Sequence, residues 1–452
     1  MSSYQKLSDY FVAMADMIMF IYGTFRVILC LLHNLYCVPG YLILNLILLP
    51  LRCLSLQTYS KIENFLYYSL LYIVGWWSYG CGIVVNEHGD DIYELKKDPN
   101  SKIVLLANHQ STADVPLMFQ AFSSRSEFSL LWIMDSAFKW THFGVVSQVH
   151  GDYFISSKKY TNNSILNYCL KPFSLMKNLI IIFPEGGFRY KRLQSSISFS
   201  NKKNYPQLHN VTYPRINGFK ELLSQDLQIT HVVDLTICYD HPDTVPSIID
   251  VIKGTKAFGV HFYYKIYSIK DNENIRSEEW LYELWQKKEA LLSNHYRNIH
   301  KEQNHQVNLS NFEQIDTEKN DSSINSKMNL IFNCQSSPDR LSPTLRKREN
   351  SSPFKMQLEN GRSHSNEINQ KQSIGSQTIQ DHSVDSSDSQ KNVADNLKFR
   401  SYHFFSDLKF DPNDPDRRSV ELSFCKVLVL HLGFFMVSFV FCIGVGLIVS
   451  FI

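Results

Sequence analysis

The C-terminal end of the chain limits most strongly what the chain can fold into, because it lacks Asp, Glu, Lys and Arg. From Val427 to Ile452 there is no Asp, Glu, Lys or Arg, and an apolar stretch of this length crosses a bilayer as one helix. Arg417, Arg418 and Lys426 come just before it, and basic flanks tend to stay on the cytosolic side. We therefore predict a transmembrane helix over residues 427–452, preceded by a cytosolic juxtamembrane segment over residues 401–426.

The N-terminal part of the chain is also apolar, but it is less uniform. Residues 11–32 contain one acidic and one basic residue, and Val38–Leu51 is interrupted by two prolines. The stretch Phe65–Val85 is rich in Tyr and Trp, which favour the headgroup level of a membrane. We predict an interfacial segment or shallow hairpin there, with a buried helix of the folded domain as the alternative. Residues 1–85 are assigned to membrane-associated helices.

The middle of the chain, residues 86–300, alternates between strand-like and helix-like patterns, which is typical of an α/β fold. Short apolar runs predict the strands, and helical periodicity with N-terminal capping residues predicts the helices. The predicted strands cover residues 102–107, 179–183, 231–239 and 258–269. One predicted helix starts after Ser111, and three others cover residues 161–177, 216–224 and 277–292. We expect a central, mostly parallel sheet flanked by helices, with the N-terminal helices and the C-terminal transmembrane helix outside it.

Residues 301–400 differ in composition from the rest of the chain. Ser, Asn, Gln, Asp and Lys dominate this segment, and it contains no Trp or Tyr. Such a composition cannot bury enough apolar surface to offset the entropy of ordering, so we predict a disordered linker. Three Ser-Pro pairs flank the basic run Arg346–Arg348, where phosphorylation would change attraction to anionic lipid. A solvated spacer is the simpler alternative.

Charge and cysteine content argue against several classes of protein. A formal net charge of +2 gives no overall attraction to nucleic acid, so we expect no nucleic-acid partner. The nine cysteines are odd in number and include no Cys-x-x-Cys pair, which is typical of reduced thiols rather than of a disulfide framework or zinc site. His150 and His261 have no partners at metal-ligand spacing. We expect both to be ordinary polar or core histidines, and no metal site.

A polar motif, Asn108–Asp114, follows the first predicted strand. It contains a His and an Asp five residues apart, and a strand that ends in this pair is suited to proton transfer. His109 would act as the base, and Asp114 would fix its tautomer and favour its charged form. Ser111 and Asp114 also fit the Ser-x-x-Asp pattern of a helix start, so capping of backbone N–H groups is the alternative role of Asp114.

A second motif, Phe183–Gly187, follows the predicted strand 179–183. Its two glycines allow positive φ angles or a close approach of the backbone to a ligand. Together the two motifs resemble the glycerolipid acyltransferase family, whose members re-acylate lysophospholipids from acyl-CoA. Two further blocks, Gly151–Ile155 and Val211–Arg215, are similar to blocks of that family. The sequence around three of these blocks, in residues 107–112, 143–152 and 183–188, is most similar to the lysophosphatidylglycerol acyltransferase branch.

The resemblance implies roles for individual residues. His109 is the general base and Asp114 orients it, while the acceptor hydroxyl attacks directly without an acyl-enzyme; a covalent route through Ser111 is the alternative. The implied substrate-binding residues are Asn108, Glu185, Gly186, Gly187, Arg189, Pro214 and Arg215. The chain departs from the family pattern in two blocks: Gly187 and Phe188 replace the usual Ser/Thr and Arg, and Ser156 and Ser157, followed by Lys158 and Lys159, stand where Arg is common.

The resemblance also implies an activity. The chain would move a fatty acyl group from acyl-CoA to the free hydroxyl of a lysoglycerophospholipid, with lysophosphatidylglycerol as the first candidate, and would need no cofactor besides acyl-CoA as co-substrate. Its partners would be these substrates and a lipid bilayer, at the endoplasmic reticulum or a related endomembrane with the catalytic domain in the cytosol. No protein partner is indicated. The alternatives are lysocardiolipin, lysophosphatidylinositol or monoacylglycerol acylation, CoA-independent transacylation, and an inactive membrane scaffold.

Overall fold

A mixed sheet is the central element of the protein in this computed structural model. The structure describes residues 3–123, 125–126, 128–156, 161–240, 245–255, 258–298, 406–411 and 414–451. The predicted linker with its Ser-Pro pairs lies outside these residues, and so do Ser157, Lys158 and Lys159, which follow the Gly151–Ile155 block. In the described part of the chain, nine strands pair into one sheet.

The strands are numbered in the order in which they occur along the chain. They are β1 (Val85–Gly89), β2 (Ile103–Ala107), β3 (Leu130–Asp135), β4 (Tyr153–Ile155), β5 (Leu179–Ile182), β6 (His231–Tyr239), β7 (Val260–Ser268), β8 (Ser406–Asp411) and β9 (Asp414–Leu422). All four strands expected from the sequence are confirmed as β2, β5, β6 and β7. Strands β2 and β5 are buried along their whole length, which explains why both are continuous apolar runs.

The helices surround this sheet and extend from it at both ends of the chain. They are α1 (Ser3–Ile47), α2 (Leu49–Leu54), α3 (Leu56–Tyr79), α4 (Asp114–Phe122), α5 (His142–His150), α6 (Ser164–Cys169), α7 (Pro172–Leu175), α8 (Arg189–Lys203), α9 (Ile216–Leu222), α10 (Ile248–Lys253), α11 (residues 278–298) and α12 (Phe424–Phe451). The expected helix over 161–177 is two short helices, because Pro172 starts a new one. Ser277 caps α11 through a 3.1 Å hydrogen bond from the Trp280 N–H.

The sheet is mixed rather than mostly parallel, so that part of the sequence prediction is wrong. Its order is β4-β3-β5-β2-β6-β7-β1-β9-β8. The first five strands are parallel, but β7 is antiparallel to β6, and β9 is antiparallel to both β1 and β8. The antiparallel part includes strands from the predicted juxtamembrane segment, whose pairing partner lies more than 300 residues earlier. Local sequence pattern carries no signal for such a distant pairing.

Helix α3 belongs to the core of the folded domain. Tyr67, Tyr68 and Tyr72 are buried, and α3 packs against α4 so closely that a Cβ at Gly75 would lie 2.8 Å from the Gln120 Cα. The predicted interfacial segment is therefore wrong, and the alternative of a buried helix is confirmed. The aromatic rings that suggested a membrane surface are used for internal packing instead.

A buried polar cluster links α1 and α3 to α5 and to the segment before β5. The Glu63 carboxylate accepts hydrogen bonds from the Tyr41 hydroxyl at 2.6 Å and from Lys177 Nζ at 3.4 Å, and pairs with His150 Nδ1 at 2.7 Å. Burial alone would raise the pKa of Glu63, but His150 and Lys177 outweigh it and lower the pKa to about 2. The expected ordinary histidine at position 150 is thus a core histidine with a charged partner.

Among the residues that the structure describes, two helices are long and apolar enough to cross a membrane. They are Asp9–Ile47 within α1 and Phe424–Leu447 within α12. The helices contact each other where Gly40 of α1 lies against Phe434, and the Ser438 hydroxyl donates to the Tyr36 carbonyl at 2.8 Å. Pro39 lies inside α1 rather than at a break between two segments, which apolar helices tolerate when neighbouring groups pack around the proline.

Replacing Glu63 should destabilise the protein strongly. A Glu63→Ala variant leaves Lys177 and His150 buried without their carboxylate, and breaking a buried ion pair on one side costs ~3–5 kcal/mol. We expect a clear fall in the thermal unfolding midpoint of the detergent-purified chain. The exposed Lys61→Ala variant on the same helix is the control and should unfold like the wild type. Equal midpoints for both variants would contradict the structural role of Glu63.

Candidate active site

The predicted motifs meet at one edge of the sheet. Strands β5, β2 and β6 are adjacent and parallel, so their carboxyl ends lie side by side. The first motif follows β2, the second follows β5, and Tyr239 ends β6. Polar residues at the carboxyl ends of parallel strands form the usual ligand-binding edge of an α/β sheet.

His109 and Asp114 form a hydrogen-bonded pair. Their Nδ1 and Oδ2 atoms are 2.8 Å apart, and the side chain of His109 is 14% exposed whereas that of Asp114 is fully buried. The carboxylate next to Nδ1 fixes the tautomer in which Nε2 carries a free lone pair. Within the part of the chain that the structure describes, Nε2 of His109 has no hydrogen-bond partner. It is therefore available to a substrate.

Asp114 does more than orient the imidazole. Its Oδ2 also accepts the backbone N–H groups of Gln110 and Ser111 at 2.8 and 3.0 Å, and Oδ1 accepts the Tyr239 hydroxyl at 2.5 Å. Burial and the carboxylate raise the pKa of Tyr239 well above its usual value, so the phenol keeps its proton and donates. Asp114 therefore contacts both the His109 imidazole and two backbone N–H groups, a geometry compatible with either of the roles considered for it.

Ser111 is poorly placed for a covalent mechanism. Its hydroxyl is buried, donates to the Pro246 carbonyl, and accepts the Ala113 N–H at 2.9 Å. The hydroxyl is thus occupied by the backbone, and no base lies among these partners. This geometry favours direct attack by the acceptor over the route through Ser111.

Two phenyl rings enclose the His109 imidazole. Phe183 stacks on it with ring centroids 4.1 Å apart, and Phe188 lies against it at 4.4 Å. Phe188 occupies the position where the family usually carries Arg. These contacts restrict the imidazole to one orientation and shield it from water, which strengthens electrostatic interactions within the site.

Glu185 is buried between the motifs instead of facing a substrate. Its carboxylate accepts the His109 N–H at 3.1 Å, the Thr212 hydroxyl at 2.6 Å and the Trp285 indole N–H at 3.4 Å. Burial raises the pKa of Glu185 to about 7, although these hydrogen bonds oppose the rise. Sequence reasoning assigned Glu185 to the acceptor; the geometry is that of a positioning residue that holds His109.

Asn108 also has its side chain occupied by the protein. Its amide donates to the Ile237 carbonyl at 3.1 Å and accepts the Ile237 N–H at 2.7 Å. The backbone pairing of β2 with β6 ends at Ala107. The Asn108 side chain extends it by taking the place of a backbone partner for Ile237. The expected substrate contact at Asn108 is therefore replaced by a link between two strand ends.

Two arginines lie beside the glycine turn of the second motif. Gly186 and Gly187 have φ angles of 70° and 152°, and a Cβ at Gly186 would lie 2.8 Å from the Arg215 Nε. Partial burial and the nearby Arg215 lower the pKa of Arg192, whose Nε donates to the Glu185 carbonyl at 3.3 Å. Among the described residues the exposed Arg215 guanidinium has no hydrogen-bond or ion-pair partner. Two guanidinium groups beside an open backbone turn are suited to binding a phosphate.

The remaining predicted site residues lie around this turn. Arg189 begins α8, donates its N–H to the His109 carbonyl at 2.8 Å, and directs its guanidinium to the His209 carbonyl at 2.9 Å. Pro184 accepts the Arg215 N–H at 2.7 Å, which connects the second motif to the Val211–Arg215 block, and Pro214 is buried beside it. Arg189 is therefore a structural link in this geometry, and Arg215 is the arginine turned toward solvent.

Sequence reasoning missed three residues that support the site. Tyr239 was recognised only as the last residue of a strand, while Thr212 and Trp285, which donate to Glu185, were assigned no role. A partner 125 positions from Asp114, as Tyr239 is, leaves no local pattern, although the parallel order of β2 and β6 would have indicated it.

Comparison with known proteins agrees with this geometry. The family described as Acyltransferase matches residues 85–226, which include every predicted site residue. A human protein named acyl-CoA:lysophosphatidylglycerol acyltransferase 1 is 34% identical over 298 residues, covering 58% of this chain and 79% of its own length. The chain belongs to this acyltransferase family.

Two further relatives lie within the same family. The mouse acyl-CoA:lysophosphatidylglycerol acyltransferase 1 is 32% identical, covering 59% of this chain and 79% of its own length. A putative 1-acyl-sn-glycerol-3-phosphate acyltransferase of Caenorhabditis elegans is 26% identical, covering 48% of this chain and 62% of its own length. No solved structure matches this acyltransferase significantly.

The raised pKa of Glu185 predicts a specific pH dependence of stability. Because the pKa is about 7 in the folded chain and 4.5 in the ordinary state, the folded form binds more protons between these values. The free energy of unfolding should therefore fall as pH rises from 4.5 to 7, by about 3 kcal/mol at ~1.4 kcal/mol per pKa unit. Above pH 7 this contribution should be constant.

A Glu185→Gln variant tests this dependence. The variant has no carboxyl at this position, so the difference in unfolding free energy between variant and wild type should change across the same pH window. Chemical unfolding at several pH values measures it, and the exposed Glu279→Gln variant is the control. Parallel pH curves for wild type and Glu185→Gln would show that Glu185 does not titrate there.

Proposed function

We propose that the chain transfers a fatty acyl group from acyl-CoA to the free hydroxyl of a lysoglycerophospholipid, with lysophosphatidylglycerol as the preferred acceptor. The free Nε2 of His109, held in one tautomer by Asp114, is the observation that carries this proposal. The human and mouse relatives named for lysophosphatidylglycerol support the choice of acceptor.

The proposed reaction needs one proton to move twice. Nε2 of His109 takes the proton of the acceptor hydroxyl while its oxygen attacks the thioester carbonyl carbon. The tetrahedral intermediate collapses with breakage of the carbon–sulfur bond, and the imidazolium returns the proton to the departing CoA sulfur. Asp114 stabilises the imidazolium between the two steps, and Phe183 and Phe188 keep the ring in place for both.

The acceptor's phosphate would lie at the Gly186–Gly187 turn. Arg215 offers an exposed guanidinium, and Arg192 offers a second positive charge beside it. Since Glu185 holds both the His109 N–H and, through its carbonyl, Arg192, the base and the phosphate site are fixed relative to each other. Such a link would bring the hydroxyl of a phosphate-bearing acceptor toward the base, which is the positioning that acyl transfer requires.

Membrane attachment fits the chemistry, since the acceptor and the product are both lipids. The two apolar helices supply candidate spans, and the basic residues Arg417 and Arg418 before α12, with Lys426 in its first turn, favour a cytosolic position of the catalytic domain. We propose the endoplasmic reticulum or a related endomembrane as its location.

Loss of the base should abolish turnover without unfolding the protein. We expect His109→Ala to lower CoA release from oleoyl-CoA and lysophosphatidylglycerol by ~10²–10⁴-fold, the usual contribution of a positioned base. Asp114→Asn should approach the same loss, because it removes the charge that stabilises the imidazolium.

Ser111→Ala is the matched control for this experiment. Its hydroxyl only contacts backbone groups, so the variant should keep most of its turnover, whereas a covalent route would abolish it. Near-normal CoA release by His109→Ala would contradict the proposed mechanism. Acyl transfer that proceeds from phospholipid donors without acyl-CoA would favour transacylation, and no transfer from any donor would favour the scaffold.

Arg215 should affect only acceptors that carry a phosphate. We expect Arg215→Gln to raise KM for lysophosphatidylglycerol by at least tenfold, since a charge-assisted hydrogen bond contributes ~1.5–3 kcal/mol. Turnover of monoacylglycerol, which lacks a phosphate, should stay at the wild-type level. The exposed Lys202→Gln variant on α8 controls for general loss of positive charge. Equal effects on both acceptors would argue against a phosphate site at Arg215.

A further inference from the structure

A second group of polar side chains lies at the end of β6, outside the proposed acyl-transfer site. It consists of Asp240, directly after β6, His261 on β7 and His295 on α11, and one potential ligand atom from each lies within 4.8 Å of the other two. The sequence analysis assigned His261 no metal-binding role, because the three members are 21 and 34 positions apart in the chain. We propose that these three side chains bind a divalent transition-metal ion, with zinc as the best fit.

The carboxylate and one imidazole already have the spacing of two ligands on one ion. Asp240 Oδ1 and His261 Nε2 are 3.3 Å apart, which is the edge of a tetrahedron with metal–ligand bonds of ~2.0–2.1 Å. The other carboxylate oxygen, Oδ2, accepts the Gly259 N–H at 2.7 Å. This hydrogen bond fixes the carboxylate and leaves Oδ1 facing the imidazole.

A further histidine supports His261 in the way that metal ligands are usually supported. His88 Nε2 lies 2.9 Å from His261 Nδ1, and the His88 ring stacks on Tyr263 at 4.6 Å. When His261 donates from Nδ1 to His88, its Nε2 lone pair points to Asp240 and is free to bind a metal. A hydrogen bond to the second ring nitrogen is the common device that fixes the tautomer of a metal-binding histidine.

The third member has an unused nitrogen. His295 Nε2 is buried and has no hydrogen-bond partner among the described residues, while its Nδ1 lies 3.4 Å from the Tyr263 hydroxyl. A buried polar atom without a partner costs free energy, and a metal ion would satisfy it. The side chains of His261 and Asp240 are 19% and 32% exposed, so an ion can reach the group from solvent.

The donor set selects the class of metal. Two imidazoles and one carboxylate suit zinc and similar borderline ions, whereas magnesium and calcium prefer oxygen donors throughout. Three protein ligands with an open position also form the common pattern of accessible zinc sites.

An ion at this position would stabilise the wall of the acyl-transfer site. Asp240 follows Tyr239, which donates to Asp114, and His295 precedes Tyr296, whose hydroxyl lies 3.5 Å from Gln110 Oε1. Binding would therefore connect the end of β6 to α11 next to two residues that contact the first motif. We assign the ion a positioning role rather than a place in the reaction.

Cobalt(II) titration of the full-length chain in detergent tests the proposal without any acyltransferase assay. After chelator treatment, we expect cobalt(II) to give the intense visible absorption bands of a tetrahedral site, saturating at one ion per chain, and zinc to displace it. Absence of these bands in the wild type would overturn the proposal.

Variants locate the ion. His261→Ala and His295→Ala should abolish the bands, His88→Ala should weaken binding ~10–100-fold as loss of a supporting hydrogen bond does, and His231→Ala at the other end of β6 should bind normally. Asp240→Asn tests the site if a histidine variant fails to fold, because it keeps the shape of the carboxylate and removes its charge. The unfolding midpoint of the metal-free Asp240→Asn protein shows that this variant is folded. Unchanged bands in folded ligand variants would place the ion elsewhere and contradict the assignment.

Discussion

The buried carboxylate of Asp114 is the interaction on which the candidate site depends. It accepts from one imidazole, one phenol and two backbone N–H groups, and each such bond to a charged group contributes ~1.5–3 kcal/mol. The donors come from the loop after β2 and from the end of β6, and Asp114 itself begins α4. Without the charge, three elements would lose their common partner, and the imidazole would lose its fixed tautomer.

A second buried carboxylate, Glu185, has a different environment and therefore a different role. Both carboxylates accept backbone and side-chain donors, but only Asp114 contacts the imidazole ring; Glu185 accepts the backbone N–H of the same residue. Burial raises the pKa of Glu185 to about 7, so its carboxyl group is only partly ionised at neutral pH. Asp114 thus holds the imidazole ring of His109, and Glu185 holds the backbone of the same residue.

The strands that carry the motifs could be predicted from sequence, because each is a short apolar run ending in polar residues. Pairings between distant segments could not, which is why the sheet was expected to be mostly parallel and why Tyr239 was missed. Asn108 and Glu185 were expected to contact substrate, since sequence shows that a polar residue follows a strand but not which protein group it meets. The same limit hid the group formed by Asp240, His261 and His295.

The short junction between the sheet and the C-terminal helix has a mechanical consequence. Only Ser423 lies between β9 and α12, and its backbone is hydrogen-bonded to the Tyr72 hydroxyl of the buried helix α3. The sheet and the apolar helix therefore cannot swing independently, as two parts joined by a long tether would. With α12 in a bilayer, the edge of the sheet that carries His109 would keep one height and one tilt above the lipid. The fold itself would then set how far a lipid must move out of the bilayer to reach His109.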